Sequence, residues 1–226
     1  MDSRFHKLAP LIVLRHMPQS FHDFLICGEF TEADLSEIAC YPDRLDHDNI
    51  HQSAEIHHAH SYKMEAGEDG ELHWRDGDCL KTLEALAAFA VDAWREYDKL
   101  GLPLLAAITR YALSKLTHYA IDVFTYPHLH RGKPWSTIHH RFEEWAGRWL
   151  EAHREELGTF EFKPYSHVYK SVRLEAVEAW HRGAELVTRL EAGELLTDQD
   201  GLFAVRRCIL GVGDLWLTLA LQMGMG

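Results

Sequence analysis

Two histidine–carboxylate pairs at helical spacing are the residues of this sequence best suited to chemistry. His118 and Asp122 are four positions apart, and so are His139 and Glu143. A further histidine, His128, lies between the two pairs. Residues four apart in an α-helix lie above one another on the same face, so each pair can bind one metal ion. Two such pairs on consecutive helices, with a histidine between them, predict a site for more than one metal ion.

The second pair overlaps a rival pair, His140 and Glu144, which has the same spacing. The apolar stripe of this predicted helix includes His139 and runs beside Glu143, whereas His140 and Glu144 share a face with further acidic residues. We therefore predict that His139 and Glu143 are the ligands, and that His140 and Glu144 are solvated.

His118 and Asp122 belong to the predicted inward side of the preceding helix. That side is made of residues at helical spacing, namely Leu104, Ile108, Tyr111, His118 and Ile121. Polar groups that point into a protein core reduce stability unless they are satisfied there. A bound metal would satisfy them, and so would a hydrogen-bonded core network.

The elements that must position these residues are helical throughout. Gly101 is predicted to end one helix and Pro103 to begin the next. Residues 43–78 are polar and turn-rich, and residues 159–162 are a candidate short strand. The predicted helices cover residues 4–15, 31–38, 83–97, 103–124, 135–157, 166–190 and 197–221. The expected fold class is all-α. We expect the helices of residues 103–124 and 135–156 to be adjacent and antiparallel, with the two histidine–carboxylate pairs on their facing sides.

Composition limits the possible functions. The 226 residues fit a single domain, 1–226, and a hydrophobic content of 46% excludes a disordered chain. The net charge of −12 argues against a stable complex with nucleic acid. Bound divalent metals could still make one cleft positive, so a phosphate substrate stays open. Because no segment is long enough to span a bilayer and no export signal is evident, we expect a cytoplasmic protein that is not integral to a membrane.

The polar segment supplies further potential ligands. Five histidines fall between residues 47 and 60, close in sequence to Asp43, Asp46 and Asp48. Neutral imidazole together with carboxylate suits zinc, and also manganese or iron. Zinc is therefore the first choice, and the other two metals remain open.

The order and spacing of these motifs resemble the zinc-dependent phospholipase C and fungal single-strand nuclease superfamily. The specific part is HxxxD at 118–122, a histidine six residues later at His128, and HxxxE at 139–143. Upstream, Asp43 after Pro42 and His60 before Ser61-Tyr62 are similar to the family's early aspartate and histidine. The resemblance spans roughly residues 1 to 145. It implies an all-α helical bundle of the phospholipase C type, with three zinc ions in a cleft.

The resemblance also implies how the ligands are shared among the ions. One zinc would be held by Asp43, His60, His118 and Asp122, with His58 as a substitute for His60, and a second by His128, His139 and Glu143. Asp122 would bridge to a third zinc that also binds His6. The family completes that third ion with an N-terminal tryptophan. Here no tryptophan precedes Trp74, and the amine of Met1 is the candidate replacement.

The activity implied by the resemblance is hydrolysis of a phosphate ester by metal-bound water. Bound metal lowers the pKa of water from ~15.7 to about 7. Asp43 is the candidate proton acceptor, and no nucleophilic serine or cysteine is needed. The expected substrate is a phospholipid headgroup, a nucleotide or a small phosphate ester.

Two other functions fit part of the sequence. His47-Asp48 is the dipeptide of HD-type phosphohydrolases, and such a site would need an earlier histidine, His16 or His22. That hypothesis leaves the two helical pairs unexplained. A metal-binding or sensor protein without enzymatic activity is the alternative from another class.

Overall fold

The computed structural model describes residues 4–42, 63–66, 72–75, 78–125 and 135–226. Within these ranges the chain is mostly helical, as the sequence predicted. The elements, in chain order, are α1 (Arg4–Leu14), α2 (Gln19–Leu25), α3 (Glu32–Ala39), β1 (Lys63–Ala66), β2 (Leu72–Arg75), α4 (Asp78–Leu100), α5 (Pro103–Phe124), α6 (Trp135–His153), α7 (Val168–Glu191) and α8 (Asp198–Gln222). None of the described helices has the length and apolar character needed to cross a membrane.

Helix boundaries follow the predicted stop and start residues. Gly101 has a φ of 64°, in the left-handed region that glycine adopts without steric cost, and it directly follows α4. Pro103 occupies the first turn of α5, where its missing N–H is not needed. Thr197 and Asp200 form a reciprocal capping box at the start of α8. These local signals confirm the predicted positions of the long helices.

Four local features differ from the sequence predictions. Helix α2 was not predicted, and strands β1 and β2 form an antiparallel hairpin inside the segment 43–78 that was expected to be irregular. Residues 159–162 form no strand. Nearby backbone N–H groups of Lys163 and Tyr165 donate to side chains of α8 and not to another strand. Helix α6 ends at His153, a few residues earlier than expected.

Helix α1 is at the centre of the domain and packs against α3, α5, α6 and α8. Its Ala9 and Val13 have no solvent exposure. Close approach to α6 depends on Gly147, because a Cβ there would lie 2.9 Å from the Cβ of Arg4 and 3.1 Å from the backbone N of Phe5. Because Gly147 has no side chain, the start of α1, including His6, can pack directly on α6.

Helix α5 is buried more completely towards its C-terminal end. Every residue from 116 to 124 is buried, whereas Leu104 and Tyr111 are exposed. The inward side predicted from Leu104 to Ile121 is therefore wrong for the first half of α5. The prediction that His118 points inward is confirmed. Close packing on α8 again depends on a glycine, since a Cβ on Gly211 would lie 2.9 Å from the Phe124 ring.

The predicted direct packing of α5 on α6 is also wrong. Among the described residues these two helices make little contact, and α1 packs against both of them. A strongly apolar helix thus separates the two that carry the HxxxD and HxxxE motifs. The side chains that α1 contributes at this point become part of any site between them.

Candidate metal centre

Four of the predicted ligands converge from three helices. His6 comes from α1, His118 and Asp122 from α5, and Glu143 from α6; we call these four residues the histidine–carboxylate cluster. Their exposed fractions are 0% for both histidines, 4% for Asp122 and 2% for Glu143. His140 is exposed, as is Glu144, so the helical phase correctly separated Glu143 from its neighbour.

Three of the four residues, His6, His118 and Asp122, are spaced like the ligands of one ion, and Glu143 adjoins them through His6. His118 Nε2 lies 3.2 Å from Asp122 Oδ2, and His6 Nε2 lies 3.6 Å from Asp122 Oδ1 and 3.0 Å from Glu143 Oε1. Ligand atoms around a tetrahedral zinc ion, bonded at ~2.0–2.1 Å, are about 3.3–3.4 Å apart. Ligand atoms of His6, His118 and Asp122 all lie within 4.8 Å of one another, which makes these three the best-formed candidate site in the described part of the chain.

The tautomer of His118 is set by the end of helix α3. Its Nδ1 is 2.9 Å from the carbonyl oxygen of Ala39, which can only accept, so Nδ1–H is the donor. In a neutral imidazole Nε2 then carries a lone pair, and that lone pair lies opposite the Asp122 carboxylate. A backbone carbonyl that orients the ring in this way is the usual support of a metal-binding histidine. A proton or a metal ion between Nε2 and Asp122 would make their approach favourable.

A metal ion would supply positive charge here without placing protons on both histidines. The rings of His6 and His118 stack with their centroids 4.3 Å apart and an angle of 24° between their planes. Two positively charged rings in this arrangement would repel each other in a site with almost no solvent. A divalent ion in the cluster would offset carboxylate charge while leaving both imidazoles neutral.

Two contacts hold the supporting helices in register. Lys7, adjacent to His6, forms an ion pair with Glu37 of α3 at 3.0 Å, and the Ser36 hydroxyl donates to the carbonyl of Lys7. The same helix α3 ends at Ala39, whose carbonyl receives the hydrogen bond from His118. Packing of α1 on α3 therefore fixes His6 and the ring of His118 together.

A buried thiol lies close to the cluster but differs from it chemically. Cys208 on α8 lies 3.8 Å from the carbonyl oxygen of Ile121, towards which its thiol points as a donor. Burial raises the pKa of Cys208 to about 12, and the Asp122 carboxylate acts in the same direction. The thiol is thus protonated at neutral pH. The Cys208 sulfur is not part of the group of ligand atoms formed by His6, His118 and Asp122.

Half of the predicted ligand set lies beyond the described part of the structure. Asp43, His60, His128 and the alternative His58 lie outside the described residues, as does the Met1 amine. His139 belongs to α6, but its side chain is likewise not described. The predictions for these residues stand as predictions.

Sequence reasoning assigned His6 to Asp122 but did not connect it with Glu143. In the structure His6 Nε2 is closer to Glu143 than to Asp122, so His6 lies between residues that the resemblance assigned to different ions. The Ala39 carbonyl was not predicted at all. Neither partnership has a sequence signal, because the residues are joined by packing and not by helical spacing.

The histidines required for an HD-type site lie elsewhere. The His16 ring packs edge-on against Phe160 at 5.2 Å, and His22 is next to Asp23 on α2. His47 and Asp48 lie outside the described residues. No described contact brings His16 or His22 to the histidine–carboxylate cluster.

Comparisons with known proteins give this cluster no family. The chain matches no protein-family model, no curated protein and no solved structure.

Proposed function

We propose that this protein is a metal-dependent phosphoric ester hydrolase, with zinc as the first choice of metal and a helical bundle of the phospholipase C type. The observation that carries the proposal is the convergence of His6, His118, Asp122 and Glu143 in one buried cluster. Two imidazoles and the Asp122 carboxylate lie at ligand spacing, with Glu143 beside His6, and imidazole with carboxylate is a donor set suited to zinc. The motif order HxxxD, histidine, HxxxE supports the choice of phosphate ester chemistry.

The roles divide between described residues and those outside them. His6, His118, Asp122 and Glu143 would hold metal, and Asp43, His60, His128 and His139 would complete a centre of two or three ions. When bound, the metal supplies a water of lowered pKa and positive charge for the phosphoryl oxygens. Asp43 would accept the proton of that water. The Ala39 carbonyl keeps the His118 lone pair directed at the centre.

A metal-binding or sensor protein is the second candidate, and one observation favours it. Each member of the cluster is at most 4% exposed, which suits a closed structural ion as well as a catalytic one. The two functions differ in turnover: a sensor binds metal and hydrolyses nothing.

The test combines metal analysis with a substrate series. Purified protein should contain at least two equivalents of metal, measured by mass spectrometry. It should hydrolyse a phosphate ester from a series comprising bis(4-nitrophenyl) phosphate, 4-nitrophenyl phosphate, nucleotides and phosphatidylcholine vesicles. Chelation should abolish the activity, and zinc should restore it. Activity that survives thorough chelation would exclude the proposal, and bound metal without turnover on any substrate would favour the sensor.

Replacement of Asp43 by asparagine tests the proposed proton acceptor. Asp43→Asn should keep most of the metal and lower kcat by roughly 10²–10⁴-fold, as expected for loss of a general base. Asp98→Asn, at an exposed position on α4, is the matched control and should retain wild-type activity. An unchanged kcat in Asp43→Asn would remove Asp43 from the mechanism.

A further inference from the structure

A cleft on the surface between α7 and α8 leads towards the segments of α5 and α6 that carry Asp122 and Glu143. Its outer part has a volume of about 430 Å³, within the range of small-molecule sites. A narrow inner part of about 20 Å³, enough for one water molecule, adjoins it. Three residues line both parts: Arg182, Leu186 and Phe203. The two spaces therefore form one cleft.

The inner end of this cleft lies next to the ligand-bearing segments. It is lined by Phe124, Thr125 and Phe142. Phe124 and Thr125 follow Asp122 by two and three residues, and Phe142 directly precedes Glu143. A molecule in the cleft would therefore contact the same turns of α5 and α6 that position the cluster.

Arg182 differs from the other arginines near the cleft in its partners. Arg189 donates to Asp200 at 2.7 Å, and Arg207 donates to Glu175 at 2.5 Å. Arg182 is half-buried and makes no hydrogen bond or ion pair with any residue that the structure describes. The charged groups that act on it, Glu175, Glu178 and Arg207, do so from beyond hydrogen-bonding distance.

A half-buried guanidinium without a direct acceptor is a favourable site for an anion. Burial and the charge of Arg207 lower the pKa of Arg182, but an arginine remains a cation at neutral pH. Its planar fork can donate two parallel hydrogen bonds to a phosphate, which lysine cannot do. No described acidic residue pairs directly with Arg182, although the chain has a net charge of −12 and many acidic residues.

We propose that Arg182 binds the phosphate group of a phosphate ester in this cleft, with the organic part of the ester packed on Phe203 and Leu186. The proposal rests on the proposed function for the class of ligand. Phe203 is 50% exposed and Leu186 is 5% exposed, so the cleft offers an apolar wall beside the guanidinium. Arg182 is a substrate-binding residue and takes no part in proton transfer.

The main test measures binding of inorganic phosphate to the purified protein by calorimetry. Arg182→Gln should weaken this binding roughly 10- to 100-fold, the range for loss of a charged hydrogen-bonding partner. Arg182→Lys should give an intermediate loss because it keeps the charge without the fork. Arg206→Gln is the control, since Arg206 lies on α8 over the Phe160 ring and does not line the cleft. Metal content should be equal in all variants.

A second variant keeps the test valid if Arg182→Gln does not fold. Phe203→Glu at the exposed position 203 places a carboxylate beside Arg182, which should compete with phosphate and weaken its binding at least tenfold. Unchanged binding in Arg182→Gln, or in Phe203→Glu where Arg182→Gln does not fold, overturns the proposal, and so does an equal loss in Arg206→Gln.

Arg182-dependent phosphate binding without turnover of any ester would leave this site standing and refute the proposed hydrolase. Turnover of an ester with an unchanged KM in Arg182→Gln would support the proposed hydrolase and refute the phosphate site at Arg182.

Discussion

Two buried polar centres of this protein are built on different principles. In the histidine–carboxylate cluster, carboxylates of α5 and α6 meet imidazoles at 3.0–3.6 Å. In the second centre, which we call the α8 network, Asp214 and Thr218 accept the backbone N–H groups of Lys163 and Tyr165, each at 2.7 Å. The α8 network supplies neutral donors from the chain itself, whereas the cluster assembles groups that a cation could hold together.

The difference indicates what each centre is for. Side-chain acceptors that take backbone N–H groups tie the irregular segment before α7 to α8 and complete its hydrogen bonding. Such a network can form in the folded chain alone. A cluster of two imidazoles and two carboxylates with at most 4% exposure would gain stability if an ion were bound. Adding or removing metal should therefore change the stability of the histidine–carboxylate cluster and leave that of the α8 network unchanged.

The largest expected effect is the loss of metal when Asp122 is removed. Asp122→Ala should remove more than one equivalent and abolish activity, because this carboxylate lies beside both His6 and His118 and is the predicted bridge. Glu143→Ala should remove about one equivalent. Metal content by mass spectrometry, together with turnover, checks both. Asp214→Asn is the control from the α8 network and should keep the full metal content.

Equal losses from Asp122→Ala and Glu143→Ala would argue against the bridging role of Asp122. Loss of metal in Asp214→Asn would remove the distinction between the two centres.

A smaller effect is expected from His6. His6→Ala leaves the α5 pair in place but removes the ligand that connects Asp122 with Glu143, so zinc affinity should fall. Zinc at about 100 times its Kd stabilises a protein by about 2.7 kcal/mol, which for a domain of this size raises Tm by roughly 5–10 °C. The zinc-induced rise should be present in wild type and largely lost in His6→Ala.

His22→Ala serves as the matched histidine control, because His22 lies on α2 beside Asp23. It should retain the full zinc-induced rise in Tm. A full rise in His6→Ala would show that His6 is a hydrogen-bonding residue of the core and not a ligand.

The long helices and their pairs could be predicted because their signals are local. Gly101 and Pro103 mark the turn between α4 and α5, and Thr197 marks the start of α8. His118 was predicted to point inward from a side that proved partly wrong. The prediction for His118 is confirmed because every residue in the last third of α5 is buried. A residue there is buried whichever side of the helix it occupies.

The rest could not be predicted because it depends on packing between distant parts of the chain. His6 has no helical partner of its own, and only the insertion of α1 between α5 and α6 brings it to Glu143. That insertion depends on Gly147, which no spacing rule identifies. The β1–β2 hairpin is similar, because its register is set by pairing between strands and its sequence has no clear alternation.

The smallest expected effect concerns the pH dependence of the α8 network. Burial raises the pKa of Asp214 to about 6, with Glu175 acting in the same direction and the N–H of Lys163 opposing them. The folded protein thus holds a proton at Asp214 between about pH 4 and 6 that the unfolded chain has released. The contribution of Asp214 to stability is therefore fully present below its unfolded pKa and falls as pH rises towards 6.

Asp214→Asn should remove this dependence while keeping the bond, because the amide oxygen can still accept the N–H of Lys163. The free energy of unfolding, measured by urea denaturation from pH 4 to 8, should fall less with rising pH in the variant than in wild type. At pH 7 the variant should equal or exceed wild type in stability, since the cost of burying a charge is gone. Asp98→Asn, at an exposed position, should follow the wild-type curve. Parallel curves for Asp214→Asn and wild type would mean that the pKa of Asp214 does not differ between the folded and the unfolded chain.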